Sequence, residues 1–179
     1  EGAKQSGGAD WRKQGPALDY SIVMQPSGKP WLFALDVGLS NQDGVRQMSD
    51  FRLENRQPVV QNLLYQVTSW PQALRQEKLP PAVARRALQL PEQGDPRSRA
   101  WAEELRSKHK RDEALVAALL QHFNLEPYGY TLKPPPVGAD SIDEFLFRTR
   151  QGFCAHYAGA MTFVLRSAGI PARVVAGYQ

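Results

Sequence analysis

Gly152-Phe153-Cys154-Ala155-His156-Tyr157-Ala158 runs on through an apolar stretch to Leu165-Arg166-Ser167-Ala168-Gly169-Ile170-Pro171-Ala172-Arg173-Val174-Val175-Ala176-Gly177-Tyr178, and the reading of this segment decides the fold. The spacing predicts a helix from Cys154 to Ala168, with Gly169 as its left-handed stop and Pro171 beyond. Cys154, Ala158, Met161 and Leu165 share one face, while Tyr157, Phe163 and Val164 line others. A helix apolar on nearly all sides is expected to be buried on nearly all sides. Ala155, Ala158, Gly159 and Ala160 are small enough for neighbours to approach its backbone. Arg173 to Tyr178 has the composition of a strand.

Cys154 is the single cysteine of the chain. That excludes an internal disulfide and any multi-cysteine zinc site. Two readings of the thiol stand side by side. A free cysteine is commonly a small buried hydrophobe without chemistry. A cysteine in the first turn of a helix meets unpaired N–H groups and the positive end of the helix dipole, which favour a thiolate nucleophile. His156 is poorly placed to serve as its base. Two residues along a helix is a rotation of about 200°, so the imidazole points away from the sulfur. His109 and His122, on charged and amphipathic helices, read as structural.

Upstream, Asp140 or Ser141 starts a helix with Ile142, Phe145 and Leu146 inward, and Ser141 with Glu144 matches a capping box. Gly152 ends or redirects it. Leu125 to Asp140 is a connector containing Pro134-Pro135-Pro136. Arg97 to Asn124 carries a helical stripe of Ala100, Leu105, Leu115, Ala118, Leu119, Leu120 and Phe123. Its charged middle, Lys108 to Asp112, divides it into two helices, with Ser107 or Asp112 as the cap. Pro80-Pro81 opens a short helix through Arg85 to Leu88.

The first part has a different texture. Tyr20, Ile22 and Met24 alternate with Ser21, Val23 and Gln25, then a Pro26-Ser27-Gly28-Lys29-Pro30 turn leads into Trp31 to Val37, which reads as a hairpin or two adjacent strands. Val45 to Leu53 and Val59 to Trp70, with Leu63, Tyr65 and Val67 on one face, are further strands. The expected organisation is a flexible terminus at 1–15, an antiparallel β-rich domain at 16–70, and a helical domain at 71–179. The fold class is α+β.

Lysine and arginine number 22 and aspartate and glutamate 18, a net charge of +4. The basic cluster at Arg106 to Arg111 interleaves with acids, which marks a solvated helix face and argues against nucleic acid as a partner. No apolar run is long enough for a membrane span, and no signal peptide opens the chain. No metal-ligand pattern or phosphate loop is present, so neither a metal nor a cofactor is expected.

The run from Asp140 to Gln179 resembles the transglutaminase-like (papain-related) superfamily core. The carriers are an acidic residue and helix, Phe145-Leu146-Phe147, Gly152-Phe153-Cys154, the small-residue helix, and Gly169-Ile170-Pro171-Ala172-Arg173. Leu90-Pro91 to Arg99 and the Tyr128 to Pro136 connector resemble the bacterial, membrane-anchored branch, and the β-rich first part resembles the region that precedes the domain there. The resemblance implies that 71–179 is the helical first half of a papain-like core whose sheet is incomplete in this chain, with Arg173 to Gln179 as its first strand. It implies a Cys-His-Asp triad, of which only Cys154 carries over, because the histidine and aspartate follow further along the family's chains. The 179 residues are accordingly expected to be a piece of a longer protein, inactive by themselves.

The activity implied is acyl transfer on protein glutamine through a Cys154 thioester, with the backbone N–H of Cys154 as a candidate oxyanion donor. The alternatives are a cysteine peptidase or amidase acting on peptides, cell-wall peptide included, and a non-catalytic peptide-binding module. The location implied is the periplasmic face of an inner-membrane protein, with the membrane reached only through segments outside this chain. The partner is a protein or peptide substrate.

Overall fold

The computed structural model describes residues 11–75 and 79–177. They fall into two compact units that divide between Leu79 and Pro80. The sequence-based boundary lay earlier, at 70/71.

The first unit holds eight short strands: β1 Trp11–Arg12, β2 Leu18–Met24, β3 Trp31–Leu32, β4 Gly38–Leu39, β5 Val45–Gln47, β6 Leu53–Asn55, β7 Leu63–Ser69 and β8 Leu74–Arg75. They pair antiparallel in three small sheets, ordered β2-β7-β4, β3-β6-β5 and β1-β8. The alternation read from the sequence sets the burial. Tyr20, Ile22 and Met24 on β2, with Leu63, Tyr65 and Val67 on β7, turn to a core shared with Leu32, Leu53 and Val59.

The pairing order differs from the sequence reading. β2 pairs along its whole length with β7, from Leu18 opposite Ser69 to Met24 opposite Leu63, and not with the segment that follows it. Pro26 and Pro30 carry no N–H for a local ladder. The amides of Ser27 and Gly28 are given instead to the Val59 carbonyl, at 3.0 and 2.9 Å. Val45 to Leu53 is likewise not one strand. Met48 to Arg52 turn the chain, with the Arg52 amide donating to Asp50 Oδ1 at 3.3 Å, and β5 and β6 form a hairpin. Trp11 and Arg12, expected in a mobile terminus, pair with β8, and Trp11 packs on Trp70 at 5.5 Å.

The second unit is built from α1 Pro81–Ala87, α2 Pro96–Lys108, α3 Asp112–Leu125, β9 Gly129–Tyr130, α4 Ser141–Glu144, β10 Gln151–Gly152 and α5 Cys154–Ser167. A π-helical turn, Phe145–Thr149, continues α4. The division of the charged helix falls between α2 and α3, where Arg106 holds the turn through the His109 and Lys110 carbonyls and Asp112. The basic residues there are paired on a solvated face, Lys108 with Glu104 and Arg111 with Glu113. Ala102, Leu115, Leu119, Phe145, Leu146, Ala160, Val164, Leu165 and Ala168 form the core. Among the described residues no helix is long and apolar enough to cross a membrane.

Two buried aspartates cap each other's helices. Asp143 accepts the Arg97 and Ser98 amides of α2 at 2.9 and 2.7 Å and the Ser98 hydroxyl at 2.5 Å. Asp95 accepts the Ile142 and Asp143 amides of α4 at 2.8 and 3.0 Å. Each carboxylate sits at a positive helix end and satisfies amides that have no partner inside the helix. The capping box expected from Ser141 and Glu144 does not form. Asp95 occupies the place it would fill, and Glu144 turns to Arg148 and the Gly138 amide.

α5 ends as expected, with Gly169 at φ +80°. Beyond it, residues 171–177 are irregular, so the strand expected from Arg173 is absent over its described part, and Tyr178 lies outside the described residues. A strand exists only by pairing; the Ala172 amide donates to the Ala87 carbonyl at 3.0 Å, but no described strand pairs with this segment.

Candidate active site

The nucleophile candidate is placed by the approach to α5. The π-helical turn closes with the Arg150 amide on the Phe145 carbonyl at 3.0 Å, and Arg150 takes a left-handed conformation, φ 50°. The chain then pairs in parallel with β9, Gly152 opposite Tyr130. The Gly129 amide donates to the Arg150 carbonyl and the Thr131 amide to the Gly152 carbonyl, both at 2.8 Å. Gly152 is required by close approach: a Cβ there would lie 2.7 Å from Cβ and Cγ of His156. Gly152→Ala is therefore expected to displace His156 and to cost about 1–3 kcal/mol, as over-packing does. Urea unfolding and a crystal structure of the variant check it.

Phe153 is the residue at the N-cap and Cys154 the first residue of α5. The Phe153 carbonyl accepts the His156 amide at 2.8 Å. The amides of Cys154 and Ala155 precede that first donor and stay outside the helical ladder. His156 folds back to the tip, where Nδ1 accepts the Phe153 amide at 3.3 Å. A phenyl ring cannot return the bond, so the capping is one-sided, and the Phe153 ring stands edge-on to the imidazole at 4.5 Å. With Nδ1 accepting, the neutral ring carries its proton on Nε2. His156 thus has a structural task, in line with its rotation away from the thiol.

The Cys154 thiol is exposed. Within this chain the enclosure expected of α5 is met in its second half. Ala160, Phe163, Val164 and Leu165 are buried, whereas Cys154 and Ala155 are exposed. The described chain covers the second half of the helix and leaves the tip open.

An aromatic cluster stands behind the tip. Tyr157 contacts Phe145 at 5.1 Å, Phe123 at 5.8 Å and Tyr128 at 6.0 Å. The Tyr128 hydroxyl donates to the Leu146 carbonyl at 3.0 Å and lies 3.0 Å from Nε2 of His122. Burial pushes the Tyr128 phenol up to about 12. Tyr128 spends its one proton on Leu146, so His122 donates from Nε2. These contacts were not legible in the sequence, since His122, Tyr128 and Leu146 come from three separate elements.

Burial also lowers the His122 pKa from its ordinary 6.5, with Glu126 opposing and Arg150 assisting. The folded state then binds this proton less readily than the unfolded chain. Its contribution is complete above about pH 6.5 and declines as pH falls below it. Unfolding free energies between pH 7.5 and 5 are expected to fall more steeply for the wild type than for His122→Gln, which keeps a donor to Tyr128 without a titrating ring.

Among the described residues no three His, Cys, Asp or Glu side chains converge as a metal site. The histidines that approach the tip or its aromatic support, His156 and His122, are engaged in the contacts above.

Residues 99–179 match the transglutaminase-like superfamily model, and residues 1–76 match that of the TgpA N-terminal domain. The chain is 64% identical over 169 residues to a Pseudomonas aeruginosa protein named protein-glutamine gamma-glutamyltransferase, covering 94% of this chain and 25% of that one. It is 36% identical over 96 residues to Bacillus subtilis YebA, an uncharacterized protein, covering 52% of this chain and 13% of that one. The chain thus spans a quarter or less of the length of these two relatives. The crystal structure of the periplasmic domain of TgpA from Pseudomonas aeruginosa superposes with a TM-score of 0.91 at 64% identity, covering 94% of this chain and 59% of that one. The same domain bound to ethylmercury gives 0.92, covering 96% and 62%. Residues 99–179 of the chain therefore belong to the transglutaminase-like superfamily, and residues 1–76 carry the TgpA N-terminal domain that accompanies it.

Proposed function

We propose that the chain is the nucleophile-bearing part of a protein-glutamine gamma-glutamyltransferase, and that Cys154 is its nucleophile. The observation that carries this reading is an exposed thiol on the first residue of α5, beside two amides that the helix leaves free. The name of the 64% identical relative supports the reaction class. The TgpA structures support a periplasmic location for this segment of a membrane-anchored protein.

The chemistry follows from the placement. The Cys154 thiolate attacks the γ-carboxamide carbon of a glutamine side chain. The carbonyl oxygen becomes an oxyanion, which the Cys154 amide is positioned to receive at the free helix end. Collapse breaks the C–N bond and leaves a thioester. An imidazole takes the thiol proton and passes it to the departing ammonia. An amine then attacks the thioester, forms an amide and releases the thiol. That imidazole and the carboxylate that orients it come from sequence outside 1–179.

The experiment uses the longer protein, a glutamine-bearing protein donor and a labelled primary amine. Incorporation of the amine is expected, and hydrolysis without incorporation contradicts the transferase reading. Mercury is a soft cation that selects thiolate ligands. Ethylmercury bound to the related domain accords with an accessible thiol there. For this chain, with one cysteine, uptake of one equivalent is expected by intact mass, with none in Cys154→Ala.

A further inference from the structure

An aromatic ring stands open beside the tip of α5. Tyr130 is 65% exposed, yet it is held from two directions. Its backbone lies opposite Gly152 in the parallel β9–β10 pair, two residues before Cys154. Its ring stacks on Tyr157 with centroids 6.5 Å and planes 18° apart. Tyr157 is itself fixed by Phe145, Phe123 and Tyr128. It follows Cys154 by three residues on α5, so the two side chains are neighbours on the helix surface. An aromatic side chain in a helix leans toward the N-terminus, here toward the thiol. Leu132, 76% exposed, extends the apolar surface past Tyr130. A ring that is already immobilised gives up little conformational entropy when a ligand covers it.

We propose that Tyr130, backed by Tyr157, is a specificity-determining contact for the acyl donor and receives an apolar side chain that flanks the reactive glutamine. The proposal rests on Cys154 being the acyl-accepting thiol. Tyr130 takes no part in bond making and, as a contact that binds ground state and transition state alike, acts on KM and leaves kcat alone.

The test uses the longer protein and two donor peptides that differ only next to the glutamine, one with leucine and one with serine. The wild type is expected to have the lower KM for the leucine peptide. Tyr130→Ser is expected to raise that KM about tenfold, the scale of one lost apolar contact, with kcat and the serine-peptide KM unchanged. Tyr130→Phe keeps the ring and is expected to match the wild type. A Tyr130→Ser variant that keeps the leucine preference, or that changes both peptides alike, overturns the proposal. So does a Tyr130 ring that resists nitration by tetranitromethane in the longer protein, since the surface is then covered. Absence of transfer by the wild type on either peptide overturns the nucleophile reading instead.

Discussion

Cys154→Ala in the longer protein is expected to bring amine incorporation into glutamine down to background, a fall on the order of 10⁴- to 10⁶-fold in kcat. The size follows from the role. Without the sulfur no thioester forms, and the amide must be attacked directly by an amine, without covalent relay. The fold is expected to survive, because the side chain is exposed and fills no core volume. Unfolding free energies of the variant and the wild type are therefore expected to agree within about 0.5 kcal/mol. Loss of activity together with loss of stability gives a different picture, in which the cysteine is a packing residue. The 1–179 chain by itself is expected to incorporate no amine. Among the described residues no hydrogen bond joins a histidine to the Cys154 thiol: Nδ1 of His156 accepts the Phe153 amide and Nε2 of His122 donates to Tyr128.

Asp143→Ala is expected to destabilise the helical unit by at least about 3 kcal/mol in urea unfolding. One carboxylate accepts two α2 amides and the Ser98 hydroxyl, and Ser98 is fully buried. Losing a cap costs about 1 kcal/mol, and each buried donor left without a partner adds about 1–3 kcal/mol. Asp143→Asn keeps one acceptor oxygen and is expected to lose roughly half as much. A change below about 1 kcal/mol for Asp143→Ala contradicts the paired capping of α2 and α4. Asp95→Ala carries the mirror-image expectation at α4, because Asp95 receives the Ile142 and Asp143 amides.

The sequence is legible where local physics decides. The helix expected from Cys154 to Ala168 spans Cys154–Ser167, because its apolar spacing and Gly169 stop are properties of adjacent residues. The alternation of Tyr20, Ile22 and Met24 gave the inward face of β2 for the same reason. Partners distant in the chain were not legible. β2 pairs with β7 some forty residues on, and nothing in Leu18–Met24 names that partner. The Ser141 and Glu144 pattern is a valid local cap, yet Asp95, remote in sequence, reaches the α4 amides in its place. The Gly94-Asp95-Pro96 run was the available signal, a left-handed aspartate before a proline that opens α2. Cover over the α5 tip is not legible, because periodicity reports how apolar a face is, while the cover depends on what packs there. The site itself was legible to the extent of one residue. Cys154 stands out by type and position, whereas its surroundings, Tyr130, Tyr157 and the Tyr128–His122 pair, are assembled by tertiary contacts alone.

Peptide mass spectrometry of the longer protein tests most directly whether the acyl group is carried on Cys154. The protein is mixed with a glutamine donor peptide in the absence of amine, quenched in acid and digested. A mass gain equal to the donor less ammonia is expected, carried by the peptide that contains Cys154 and removed by hydroxylamine. Turnover of the donor with no such adduct, or with the acyl group on another residue, contradicts it.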